Sequence, residues 1–259
     1  LKKCYINQIG KHLPGNPISN EEMEEYLGMV GGVPSRLRPK VLNQNKIEQR
    51  FYALDKQQRT TISNAAMAAH SVRDAISRSE ITLDDLELLV TATSQGDLPL
   101  PGFASMVHGE LKNKPCEIAS LHGICASSVL ALRHAVSAFK AGEVSTAAVV
   151  ASELASRLLK APRFEEQGFG KDRRLPFETE FLRWMLSDGA GALLLSDEPA
   201  SSGLSLEVES MHIKSYANQF APCMYVGKKD NVSLEDVYGW LDYPGYMEAA
   251  SDGAINLHQ

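Results

Sequence analysis

The sequence predicts an α/β protein, a mostly parallel or mixed sheet with helices packed on it. Three observations carry this. Short apolar stretches rich in Val, Ile, Leu and Thr alternate with amphipathic or alanine-rich stretches, the order of repeated βαβ units. Two of the apolar stretches, "ELLVTATS" (87–94) and "TAAVVASELAS" (146–156), read as buried strands. With 44% hydrophobic and 22% charged residues over 259 positions, and no low-complexity segment, the chain can bury a substantial core.

Taken in order, "CYINQIGKHLP" (4–14) reads as a strand closed by Pro14. "SNEEMEEYLG" (19–28) reads as a helix capped by Ser19 or Asn20 and stopped at Gly28. Residues 29–60 read as irregular, with seven Lys or Arg against two acids, the one locally basic stretch. "ISNAAMAAHSVRDAISRS" (62–79) is an alanine-rich amphipathic helix, and "EITLDDL" links it to the strand at 87–94. "GFASMVHGELKNK" (102–114) is a short helix, and "PCEIAS" (115–120) a strand entering a turn at Gly123 and Cys125. A long helical pattern follows to Gly142, then strands at 146–156, 187–199 and 204–215. From about residue 217 the pattern weakens into an aromatic, glycine-punctuated stretch.

The formal charge of −6 leaves no basic footprint for nucleic acid. No apolar run reaches the roughly 18 residues of a membrane span, and "LKKCYINQIG" lacks the order of a signal peptide. The expectation is a cytoplasmic protein with no membrane or nucleic-acid partner. Cysteines 4, 116, 125 and 223 form no CxxC pair, so neither a zinc ribbon nor a disulfide framework is expected. Cys4, Cys116 and Cys223 read as small buried hydrophobes. No HExxH or paired-ligand spacing points to a metal.

Cys125 is different because it stands where strand passes into helix. Cys125, Val129, Leu132, Val136 and Phe139 follow a four, three, four, three spacing, so the thiol is expected to begin the helix's buried face. The free N–H groups and positive dipole end at a helix start favour thiolate, while burial opposes it. Gly123 permits a tight turn, and the local N–H groups can hold an oxyanion. Two readings stand at this point: an activated nucleophile, or a helix-start thiol that packs. His134, nine residues on, lies roughly 13 Å along the helix and cannot be a direct partner. His122 precedes the thiol by three, and His70, His108 and His212 read as surface residues. Glu153 either faces a site or caps the next segment, the cap being the simpler role.

"LHGICASSVLALRHAVSAFKAGE" (121–143), "AAVVASELASR" (147–157) and "LSDGAGALLLS" (186–196) together resemble the three-part signature of the thiolase superfamily, in particular its ketoacyl-carrier-protein synthase III-like (KAS III-like) condensing enzymes. "KIEQRFYA" and "LPLPGFASMVHGEL" fall in that family's order, and the resemblance runs from about residue 1 to 215. The opening further resembles the branch that makes dialkylresorcinols and cyclohexanediones by joining two β-oxoacyl chains.

The resemblance implies a thiolase-like αβαβα layered fold with a buried nucleophile helix. It implies a first half over residues 1–200 that carries the nucleophile, and the beginning of a second over 201–259. Cys125 would take an acyl group from a thioester, its own N–H forming part of the oxyanion hole. Decarboxylative or Claisen C–C bond formation would follow, with a malonyl or oxoacyl unit on CoA or acyl carrier protein, in fatty-acid or polyketide-like biosynthesis. No cofactor beyond the thioester is implied. Leu98 and Leu100 would line the partner's acyl pocket in a homodimer.

Two departures stand out. The family's assisting histidine and asparagine belong to the second half; His258 with Gln259 superficially resembles its "HQ" pair but follows a glycine turn and is expected to precede the true site. Gln44 stands where the family often places an arginine for the donor's phosphopantetheine or nucleotide end, and Arg36, Arg38 and Lys40 are candidates to replace it, unless they are only a solvated loop. The same scaffold also admits an acyltransferase that never condenses, or a non-catalytic partner subunit.

Overall fold

The computed structural model describes residues 2–221, 223–225 and 256–257. In chain order the elements are β1 (Tyr5–His12), β2 (Ile18–Ser19), α1 (Met23–Leu27), α2 (Arg38–Gln44), β3 (Gln49–Arg50), α3 (Asn64–Ile76), β4 (Leu88–Thr93) and α4 (Phe103–Leu111). There follow β5 (Glu117–His122), α5 (Ala126–Ala141), β6 (Thr146–Glu153), α6 (Ala161–Glu165), α7 (Phe177–Met185), β7 (Gly189–Ser196), β8 (Leu206–Glu207), β9 (Met224–Tyr225) and β10 (Asn256–Leu257). The chain forms two compact units, each discontinuous in sequence. The first takes Leu1–Asn16, Thr61–Leu154 and Asp188–Lys214; the second takes Pro17–Thr60, Ala155–Ser187 and Ser215–Gln259.

The first unit is built on a six-stranded sheet of order β5-β4-β6-β7-β1-β8. β5 and β6 run parallel to β4, but β7 is antiparallel to both β6 and β1, and β8 is antiparallel to β1. The sheet is therefore mixed rather than mostly parallel. Residues of β4 and β6 alternate between two apolar clusters, which places helices on both faces. Leu89, Ala148 and Val150 join α3 and α4 on one face. Leu88, Val90, Ala147 and Val149 meet Ala131, Ala135 and Phe139 of α5 on the other. Covered on both sides, β4 is buried along its whole length.

α3 starts at Ser63, whose hydroxyl accepts from Ala66 N, the ordinary satisfaction of a helix's first free donor. It lies so close to β1 that a Cβ on Gly10 would stand 2.6 Å from Ala75 N. α5 ends on Gly142 in the left-handed conformation, φ 79°, which a residue without Cβ adopts freely. Among the described residues β5 has β4 as its one neighbouring strand, and it is exposed along much of its length.

The second unit gathers short helices around Met23, Leu27, Leu42, Tyr52, Leu159, Leu182 and Trp184. α1 begins at Met23, later than expected, because Ile18 and Ser19 pair with Arg50 and Gln49 as strand. Ser19 turns its hydroxyl to the Glu22 carboxylate at 2.8 Å instead. The basic stretch holds a helix, α2, with Pro39 in its first turn, where a missing N–H costs nothing, and Val41 and Leu42 buried.

Candidate active site

Parallel pairing brings the ends of β4 and β5 side by side, Thr93 opposite His122. The chain then turns at Gly123, φ +153°, a conformation that L side chains rarely adopt. Gly123 N donates to the Thr93 carbonyl at 3.4 Å. Ser127 Oγ donates to the carbonyls of Gly123 at 3.1 Å and Ile124 at 2.7 Å, and Ser128 Oγ to that of Cys125 at 2.9 Å. Cys125 is the cap residue of the 16-residue α5, so its side chain sits at the helix's positive end.

Its environment corrects one expectation. The Cys125 side chain is exposed, and Val129 is 46% exposed, so the predicted stripe is not the one that the sheet covers at this end. The covered line runs through Ser127, Ala131, Ala135 and Ala138, with Val136 and Phe139 joining it further along. Small side chains let the helix lie close to the strands, which turns the larger Val129 and Leu130 outward. Helix α5 is thus half covered, and its thiol end open.

His122 and His134 are exposed. His70 is exposed and meets His12 edge-on at 4.7 Å, while His108 is half-buried with a ring nitrogen 3.2 Å from the Lys114 carbonyl. Glu153 is a cap, though not of the segment that follows it. Its carboxylate receives Ser94 N at 2.6 Å and Ser94 Oγ at 2.5 Å, pinning the chain that leaves β4. Asp97 receives the N–H groups of Asn64 at 2.9 Å and Ala65 at 2.8 Å, capping α3. On the far side of this segment Ala104 N donates to Ser120 Oγ at 2.8 Å. Between those anchors Leu98 and Leu100 project, 58% and 65% exposed.

The two arginines part company. Arg36 lines a cavity of about 350 Å³ in the second unit, together with Val33, Ser35, Lys171, Arg174 and Glu180. Arg38 does not line it: its guanidinium lies 3.4 Å from the buried Glu24 carboxylate and donates to the Glu21 carbonyl at 3.0 Å. Lys40 and Gln44 are exposed. Within the cavity Ser35 Oγ donates to Glu180 at 2.9 Å, and burial pushes the Glu180 carboxyl above its ordinary range. Lys171 and Arg174 were not anticipated; the run "KDRR" at 171–174 was the signal. His258 and Gln259 lie outside the described residues. Among the described residues no group of three or more His, Cys, Asp or Glu side chains could hold a metal ion.

No family model matches the chain. Among curated proteins it is similar to beta-ketoacyl-[acyl-carrier-protein] synthase III of Dinoroseobacter shibae, 25% identical over 202 residues, covering 78% of this chain and 54% of that protein. The enzyme of the same name from Ehrlichia ruminantium is 26% identical over 200 residues, covering 77% and 54%. Among solved structures, the tetronic acid condensing enzyme AbyA1 superposes with a TM-score of 0.71 at 20% identity, over 93% of this chain and 68% of that one. The 3-oxoacyl-(acyl carrier protein) synthase III FabH of Pseudomonas aeruginosa gives 0.64 at 19% identity, over 88% and 62%. The fold is therefore the α/β fold of the thiolase-like condensing enzymes, and the chain is KAS III-like. It spans about half the length of the curated relatives that it matches.

Proposed function

We propose that this chain carries the nucleophile of an acyl-thioester condensing enzyme. The observation that carries the reading is Cys125: an exposed thiol at the start of a 16-residue helix, above the parallel ends of β4 and β5. Its sulfur attacks the carbonyl of an acyl thioester. The new S–C bond forms as the old one breaks, and the departing thiol takes up a proton. Negative charge on the carbonyl oxygen is met by backbone N–H groups at the helix start, that of Cys125 among them. Loss of CO2 from a malonyl unit, or deprotonation of an oxoacyl unit, then supplies the carbon nucleophile that takes the acyl group and frees Cys125.

Arg36, with Lys171 and Arg174 beside it, offers positive charge to the phosphates of a CoA or carrier-protein donor. Arg38, neutralising Glu24, shapes the loop that presents Arg36. A homodimer fits two features, the edge of β5 left unpaired among the described residues and the projecting Leu98 and Leu100, which would line the partner's acyl pocket. A cytoplasmic setting fits the four free cysteines. No helix among the described residues is long and apolar enough to cross a membrane.

The test is intact mass before and after incubation with an acyl-CoA, then peptide mapping, on the wild type and Cys125→Ala. The expected result is one acyl adduct on the Cys125 peptide, lost in the variant. No adduct overturns the reading. An adduct that yields no new C–C bond with malonyl-CoA or a 3-oxoacyl-CoA points to the acyltransferase that loads without condensing.

A further inference from the structure

Asn64 is fully buried at the start of α3, against the ends of β4 and β6. Its Nδ2 donates to Thr93 Oγ1 at 2.9 Å and to the Gln95 carbonyl at 3.1 Å, with the Ser152 carbonyl at 3.4 Å. Its Oδ1 accepts from Ser152 Oγ at 2.6 Å. Thr93 and Ser152 are themselves 2% and 1% exposed, so water does not compete for these bonds. One amide thus ties together the end of β4, the segment that leaves it and the end of β6.

Thr93 is also where the nucleophile turn meets the sheet. Its carbonyl accepts from Gly123 N, and it stands opposite His122. On the helix side the turn is held by Ser127, through the carbonyls of Gly123 and Ile124. The turn at residues 123–125 therefore has two anchors. The sheet-side anchor is only as fixed as Thr93, and Thr93 Oγ1 is fixed by Asn64.

We propose that Asn64 is a positioning residue for Cys125: it holds the end of β4 so that the turn presents the thiol in one geometry. It acts through Thr93 and Gly123 and touches no substrate. The proposal rests on the reading of Cys125 as the acyl acceptor. An apolar residue of like size would fill the same space and leave the Thr93 and Ser152 hydroxyls without this partner.

Asn64→Leu and Thr93→Val in the full 259-residue chain test it, the second removing one hydroxyl at nearly constant volume in case the first does not fold. Hydrogen–deuterium exchange is followed peptide by peptide, with Cys125 alkylation by iodoacetamide and single-turnover acylation by hexanoyl-CoA. The expected result is exchange at residues 123–127 at least five-fold faster, with the second unit unchanged. Alkylation of Cys125 should change at least three-fold relative to Cys223. Acylation should slow about ten-fold while half-saturation by hexanoyl-CoA stays within two-fold, since donor binding is untouched. Unchanged exchange and alkylation at the turn in a folded variant overturns the proposal, and so does exchange that rises uniformly, which would make Asn64 only a support of the fold. If the wild type takes no acyl group, the acyl-acceptor reading fails, while exchange and alkylation still decide whether Asn64 holds the turn.

Discussion

Two thiols in this chain face opposite circumstances. Cys4 is 1% exposed among the apolar residues that α5 covers, and burial pushes its thiol up to about 11, the Lys140 charge only partly offsetting this. Cys125 is open to solvent. Iodoacetamide at pH 7.5 should therefore alkylate Cys125 and leave Cys4 untouched until the protein is unfolded, which peptide mapping reads directly. That Cys125 begins a helix was legible from Gly123 before it and the small residues after it. Its exposure was not, because an apolar stripe at helical spacing does not say which of two adjacent stripes meets the sheet, and here Ala131 and Ala135 decide. Arg38 teaches the same lesson with charge: its basicity was plain, but Glu24, which engages it, sits on another element.

Arg183 is a residue that no motif announced. It is 1% exposed, donates to the carbonyls of Leu159 at 2.9 Å, Leu27 at 3.0 Å and Gly28 at 2.6 Å, and lies 4.7 Å over the Trp184 ring. Burial lowers it to about 10, so it remains charged at neutral pH. Arg183→Met would leave three carbonyls without their donor, at a cost of about 3–5 kcal/mol, to be read as a lower urea midpoint.

Among elements, the long and strongly patterned ones were legible: β1, α3, β4, α4, α5, β6 and β7 lie where periodicity and caps put them. Strand direction was not, since an apolar run carries no sign, and β7 proves antiparallel to β6 from Thr146 opposite Ser196 to Glu153 opposite Gly189. The short helices α2 and α6 escaped because five to seven residues give too few turns for a period, and their stability comes from packing; α7 was missed although, at nine residues, it is as long as α4. The contact of β1 with α3 allows a sharp test. A methyl at Gly10 would press on the Ser71 carbonyl and Ala75 N, both backbone, so neither can swing away. Gly10→Ala should destabilise by about 3 kcal/mol or more, seen as a lower melting temperature, whereas Gly109→Ala, with open space around it, should not.

At the scale of the whole molecule, the fold class was legible from alternation alone, but the two units were not. Each is assembled from separated stretches, and no linker marks the crossings at residues 16, 60, 154, 187 and 214. A global property still follows from one local pair. Burial, and then the neighbouring His70, lower the His12 pKa below its ordinary value. In the window between those two values the unfolded chain binds the proton and the folded chain does not, so stability is full above the ordinary histidine range and falls as pH drops through it. Urea midpoints measured from pH 7.5 to 5.5 should fall, and His12→Gln should flatten part of that fall.

The strand order also has a consequence for the timing of synthesis. β1 lies between β7 and β8, so Tyr5 waits for Ser196 and Glu207 before either of its edges is paired. At about 5–20 residues per second, the roughly 190 residues between them take about 10–40 s to emerge from a ribosome, and during that time β1 has no partner in its own sheet. β1 therefore emerges well before either strand that pairs with it, and its place in the sheet is filled only after β7 has followed.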